Sequence, residues 1–236
     1  MKIVALVASH GRDAILRDCI SCIKPQVDDI VLVGSSEWVD STQGCNIAKK
    51  IAKEEDLIYV DHTNKVLGRK WQAGLDRCRG LDPDAVLICG SDDLIEKDYL
   101  DDFCGIKVAG VGSWYVYNPI NEICISCSYK IRKDPLGAGR VIPAHRLRQY
   151  NWDIFPYESG VGCDGYSYLR TAGNKGWDNL GKTVLSVKGD WDAIDTWEML
   201  YNSTNLNVKI LNREIEACNL LNKFPHIDFE KYRSIK

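Results

Sequence analysis

The residues best placed to do chemistry lie in AVLICGSDDLI, residues 85–95, where an apolar run ends in the adjacent carboxylates Asp92 and Asp93. Two neighbouring acids at the end of a buried strand are costly unless something compensates their charge. A divalent cation does so, and oxygen ligands suit Mg²⁺ or Mn²⁺. A metal there could bridge two phosphates and neutralise charge on a departing nucleotide diphosphate. The competing reading is a solvated Asp-Asp turn that caps the next helix.

The elements before it decide between these readings. Lys2–Ala8 is a continuous apolar run, as expected of a strand covered on both faces. A helix is expected at Asp13–Ile23, stopping before Pro25, then a strand at Asp29–Val33, a helix at Gln43–Lys53 and a strand at Leu57–Val60. Gly68–Arg79 reads as a helix and Asp84–Cys89 as the fourth strand. This alternation predicts an α/β fold with a mostly parallel central sheet flanked by helices and right-handed crossovers. Ligands of such sheets gather outside the carboxyl ends of the strands. Three segments then become candidates: Ser9-His10-Gly11-Arg12, Gly34-Ser35-Ser36 and Gly90-Ser91-Asp92-Asp93.

In the first of these, backbone N–H groups at a helix start attract phosphate, and Arg12 adds charge beside Ser9 and His10. Ser9 as a simple helix cap is the alternative. Arg69 and Lys70 precede Trp71-Gln72-Ala73-Gly74, which could pass near a diphosphate, although charged helix faces are common. Beyond Asp93 we expect a short helix at Lys97–Phe103, paired strands at Ile106–Tyr117 and Glu122–Lys130, and a helix near Ala144–Tyr150. A strand at Val184–Val187 and a closing helix at Val208–Leu221 follow. Neither a repeat nor a long linker divides the chain, so residues 1–105 and 106–236 read as two halves of one domain.

Three stretches, VASHGR, GRKWQAGLDRC and AVLICGSDDLI, resemble the nucleotide-binding half of glycosyltransferase family 2 and related GT-A enzymes. The resemblance covers roughly residues 1–105. It implies a GT-A (Rossmann-like) sheet with a smaller acceptor-side lobe, and a metal-dependent transferase that uses a nucleotide diphosphate sugar, most often a UDP-sugar. It also implies that Asp93 coordinates the metal while Asp92 contacts the ribose or helps hold the site. Two departures stand out: the first acidic position of the metal motif is Ser91, and the aspartate expected after strand two is replaced by Gly34-Ser35-Ser36-Glu37.

DPLGAGRVIPAHRLRQYNWDIFP resembles small nucleotide-sugar transferases of large DNA viruses and phages. Its glycines would let backbone approach a ligand closely, with Gly139 and Arg140 binding a phosphate or a sugar hydroxyl. A plain turn with a structural arginine is the alternative. Inverting transfer needs a base for the acceptor hydroxyl proton. The resemblance to glycosyltransferase family 2 implies an acid at the start of a helix behind the acceptor loop, which here matches Asp164, although an N-cap has the same signature. Asp153 and Glu158 are further candidates. Trp152, Tyr157 and Tyr166 offer flat faces to an acceptor sugar, alongside Phe155 and Tyr168. Asp190 and Asp192 read as a solvated loop, and the surroundings of His226 favour packing as much as metal ligation.

The bulk composition narrows the partners. A net charge of −3 argues against nucleic acid. Without a signal peptide or a membrane-length apolar run, a soluble cytoplasmic protein is expected. The ten cysteines fit that compartment if reduced. Cys124 and Cys127, three apart on a strand, should face opposite sides of the sheet and so cannot easily offer both sulfurs to one zinc, which favours ordinary buried thiols. Two other functions compete: a sugar nucleotidyltransferase, whose longer glycine-rich first loop SHGRD lacks, and a nucleotide-sugar-binding protein without turnover.

Overall fold

The computed structural model of the chain describes residues 1–9, 12–36, 46–63, 65–130, 135–158, 163–172, 176–188, 202–203 and 206–234, the side chains of residues 163–165, 214 and 234 excepted. The first part of the chain is built from β1 (Ile3–Ala8), α1 (Asp13–Ile23), β2 (Asp29–Gly34), α2 (Ile47–Glu54), β3 (Ile58–Asp61), α3 (Leu67–Arg79) and β4 (Ala85–Gly90). β5 (Asp93–Ile95), β6 (Ala109–Gly110), β7 (Ser113–Asn118), β8 (Ile123–Tyr129) and β9 (Arg140–Pro143) follow. After them come α4 (Ala144–Arg148), α5 (Cys163–Thr171), β10 (Asp178–Asn179), β11 (Val184–Val187) and β12 (Leu206–Ile210).

Two sheets result. The first runs β10-β6-β9-β4-β1-β2-β3, with β1 to β4 mutually parallel and β9 antiparallel to β4. The second runs β12-β8-β7-β11-β5. Alternation along β1 explains how the first sheet is covered. Ile3, Ala5 and Val7 pack on the face shared with α1, α2 and the second sheet, whereas Val4 and Leu6 pack on the face under α3 and α4. On α1 the buried stripe is Ile15, Leu16, Cys19, Ile20 and Ile23, each larger apolar side chain contributing about 1.5–3 kcal/mol on burial. Cys124 and Cys127 lie in separate cores on opposite faces of β8, as strand geometry requires. Among the described residues no helix is long and apolar enough to cross a membrane.

Several expectations are corrected. Residues 97–102 form turns rather than a helix, with Asp98 at φ 60°. The single strand expected at Ile106–Tyr117 divides between the two sheets around Val111-Gly112. Arg140–Pro143, read as part of a glycine-rich turn, is a buried strand beside β4. The expected helix at Val208–Leu221 starts as strand β12 instead, because pairing with β8 satisfies its backbone and helical turns begin only at Arg213.

The glycine of QAGLDRC fixes how closely α3 lies on the sheet. A Cβ at Gly74 would come within 2.3 Å of Leu6 Cδ1 and 2.4 Å of Val33 Cγ2. Gly74→Val is therefore expected to destabilise the fold by about 1–3 kcal/mol through overpacking. Thermal unfolding checks this, and an unchanged melting temperature would contradict the packing described.

Candidate functional site

The strand ends bring the polar loops together. Ala8 is opposite both Val33 and Gly90, and Gly34 is opposite Asp61, so the segments leaving β1 to β4 emerge side by side. Ser9 is buried and its N–H donates to Val33 O at 2.8 Å. Arg12 is the N-cap residue of α1, so Ser9 does not take that position. Ser35 is buried after β2. Its neighbour Ser36 donates N–H (2.9 Å) and hydroxyl to the Asp61 carboxylate at the end of β3, which lowers the Asp61 pKa. A carboxylate thus stands beside the second-strand loop, supplied by the neighbouring strand. His10 and Glu37 lie outside the described residues.

Asp92 is the electrostatic centre. Its Oδ2 is 3.4 Å from Arg12 Nη2 and is also ion-paired with Lys188 Nζ, with all three side chains largely buried. Burial by itself would raise the Asp92 pKa, but Lys188 and Arg12 together hold it well below the usual carboxylate range. Lys188 arrives from the second sheet. The Val187 N–H at the end of β11 donates to Asp92 O at 2.9 Å, which anchors the next residue against the carboxylate. Lys188 was not among the residues expected from the sequence, although its place directly after a strand was the available signal; Asp190 and Asp192, read there as a solvated loop, lie outside the described residues.

Asp93 is differently held. It starts β5, so the Asp-Asp pair leads into a strand and does not cap a helix. Its Oδ2 accepts the Gly90 N–H at 2.8 Å and its Oδ1 accepts the Ser186 hydroxyl. Burial, reinforced by Asp92, pushes its pKa up to about 6. A Cβ on Gly90 would meet Asp93 Oδ2 at 2.8 Å and Asp92 Oδ1 at 2.9 Å, so this glycine makes room for both acids. The sequence places this glycine in the candidate segment, but its role in making room for the acids follows only from the packing.

These residues do not fit the Mn²⁺ or Mg²⁺ expected on Asp93 and Asp92. Asp93 turns both oxygens to protein donors, and Asp92 already holds two cations. Two unit charges 4 Å apart repel by about 4 kcal/mol at an effective dielectric of 20, and a dication beside Lys188 would roughly double that. Among the described residues no group of three or more His, Cys, Asp or Glu is placed to hold a metal ion. His226 instead lies 3.4 Å from the Cys22 thiol.

The other expected residues fall into two groups. Lys70 is fully buried and donates to the Ser9 carbonyl, backing the first loop with a cation, while burial lowers its pKa to about 7. Arg69 binds outward, to Tyr157 O at 3.0 Å and Glu158 Oε1 at 2.8 Å. An open cleft of ≈ 350 Å³ is lined by His62, Arg69, Gln72, Ala73, Asp76 and Tyr157. Gln72 pins the aromatic loop to α3, donating to Trp152 O at 2.8 Å and accepting the Ile154 N–H at 3.3 Å. Trp152 is therefore buried under that loop, which corrects its expected place at an acceptor surface, whereas Tyr157 and Tyr166 are 51% and 40% exposed.

Gly139 and Arg140 are likewise interior. Gly139 has φ 72°, and its carbonyl accepts the buried Tyr99 hydroxyl at 2.8 Å. Arg140 is 1% exposed, donates to Pro135 O (2.8 Å) and Ser167 Oγ (3.0 Å), and lies 5.5 Å over the Tyr168 ring. The expectation that it meets a ligand is corrected: it clamps α5 to the sheet. Asp164 falls in the first turn of that helix, as expected, and its side chain lies outside the described residues. Asp153 and Glu158 are engaged by Arg170 and Arg69.

No protein-family model matches the sequence, and no characterised protein matches it at the sequence level. The fold does have relatives among solved structures. S. aureus TarS 1–349 in complex with UDP-GlcNAc aligns with a TM-score of 0.50 at 12% identity, over 81% of this chain and 60% of that one. GalNAc-T7 with UDP, GalNAc and Mn²⁺ aligns with a TM-score of 0.56 at 9% identity, over 79% and 44%. The inositol-1-phosphate CTP transferase from T. maritima aligns with a TM-score of 0.52 at 12% identity, over 95% and 96%. The chain thus spans less than two thirds of the length of the two larger proteins. Its mixed α/β fold, with a mostly parallel central sheet flanked by helices, is that of GT-A-like proteins.

The depressed amine of Lys70 gives a pH signature. Its folded pKa lies below the unfolded value, so the unfolded chain binds the extra proton between about pH 7 and 10 and stability rises with pH there. The stability of the wild type relative to Lys70→Met is expected to rise across that window in chemical denaturation. A flat difference would contradict the burial of Lys70 as an amine.

Proposed function

We propose that the chain is a glycosyltransferase that moves a sugar from a nucleotide diphosphate sugar, a UDP-sugar in the first instance, to an acceptor hydroxyl. The observation that carries this reading is the gathering of Arg12, Lys188 and Asp92 with the buried loop Ser9 at the carboxyl ends of β1 and β4. Ligands of parallel sheets bind there, and cations at a helix start suit a diphosphate. Ser9, Ser35, Arg12 and Lys188 line the donor subsite, with Lys70 behind Ser9. Arg69 and Gln72 shape the acceptor side through the loop that carries Tyr157, and Arg140 positions α5.

In this reading the acceptor oxygen attacks the anomeric carbon while the bond from that carbon to the diphosphate oxygen breaks. The electron pair leaves with the nucleotide diphosphate, and the acceptor proton passes to the Asp164 carboxylate, giving inversion. The cations stabilise the charge that grows on the leaving group.

A second reading, nucleotidyl transfer from a nucleoside triphosphate to a sugar phosphate, is favoured by the near-complete mutual coverage with the T. maritima CTP transferase. The released product separates the two: glycosyl transfer frees a nucleoside diphosphate, nucleotidyl transfer frees pyrophosphate. Incubation with UDP-sugars and simple glycan acceptors is expected to release UDP. Asp164→Asn is expected to slow that release by about 10²–10⁴-fold with donor binding retained. Full activity in that variant would overturn the base assignment. Pyrophosphate from CTP or UTP with a sugar phosphate would establish the second reading, and donor binding with no product of either kind would leave a binding protein.

A further inference from the structure

The cation pair on Asp92 bears on what neutralises the donor. Resting on the donor-site reading above, we propose that Lys188, with Arg12, takes the electrostatic place of a divalent metal, so that the nucleotide diphosphate binds without one. The geometry supports this in three ways. Lys188 and Arg12 reach the same carboxylate oxygen from different elements, the first from the end of β11 in the second sheet and the second from the start of α1. Asp92 therefore orients both cations at the strand ends. Asp93, the other acid of the pair, is buried and accepts the Gly90 N–H and the Ser186 hydroxyl. Lys188 and Arg12 both occupy Asp92 Oδ2, so a dication binding that oxygen would have to displace them or bear their repulsion.

The trio is also built to persist. Arg12 and Lys188 side chains are only 16% and 14% exposed, so neither is a solvated surface charge that happens to lie near an acid. The Val187 N–H bond to Asp92 O and the Lys188 N–H bond to Tyr117 O (3.0 Å) fix the backbone on which Lys188 stands. An anion that draws Lys188 and Arg12 toward its phosphate oxygens needs no rearrangement of the sheet.

Thermal unfolding with UDP, GDP and CDP, each in EDTA and in Mn²⁺, tests the proposal on wild type, Lys188→Met and Lys188→Arg. Mn²⁺ affinity, read from the paramagnetic spectrum of the free ion, is the second measurement. One nucleotide is expected to raise the wild-type melting temperature equally in EDTA and Mn²⁺. Lys188→Met is expected to lose the EDTA shift while unfolding cooperatively without ligand, Lys188→Arg to keep it, and Lys188→Met to bind Mn²⁺ at least tenfold more tightly than the wild type. A wild-type shift that requires Mn²⁺ would overturn the proposal and leave the donor site standing. A shift in EDTA that survives in Lys188→Met would overturn the role of Lys188. No shift with any nucleotide under either condition would overturn both this inference and the function on which it rests.

Discussion

The structure turns on how two adjacent buried carboxylates are made tolerable. An ionised aspartate away from water is costly unless a partner stands close, and Asp92 and Asp93 solve this separately. Asp92 is bracketed by Arg12 and Lys188, whereas Asp93 takes hydrogen bonds from Gly90 and Ser186 and is pushed toward protonation. Both solutions draw on the second sheet, through β11. The pair therefore does more than mark a site: it ties the strand ends of one sheet to a strand of the other.

This arrangement also orders the surroundings. The α3 helix lies close on β1 and β2 because Gly74 has no side chain, and that closeness brings Lys70 under the Ser9 carbonyl and Gln72 under the aromatic loop. Arg140 ties α5 to the sheet from below. Cations that looked alike in the sequence thus divide by burial. Arg12 and Lys188 face the strand ends, Lys70 supports them, Arg140 is a clamp, and Arg69 holds a loop.

The first half of the fold was legible because its signals are local. Apolar runs of strand length, a helix stopping at Pro25 and the GSDD turn place β1 to β4 with small shifts of boundary. The start of α5 at Asp164 was legible for the same reason. The second half was not, since its elements depend on distant partners. β9 and β12 exist because β4 and β8 offer them free edges, and no periodicity within either segment announces that. The site shows the same division. Asp92 and Arg12 could be found from strand-end loops, but Lys188 meets them only through the pairing of β11 with β5, far along the chain. Trp152 and Arg140 misled for a related reason: residue type suggested a ligand, while burial made them supports.

The most direct test of the account is a crystal structure with a non-hydrolysable UDP-sugar analogue bound. The diphosphate is expected at the carboxyl ends of β1 and β4, within hydrogen-bonding distance of Arg12 and Lys188, with the sugar directed toward the start of α5. A nucleotide bound elsewhere, with the Arg12–Asp92–Lys188 trio untouched, would contradict it.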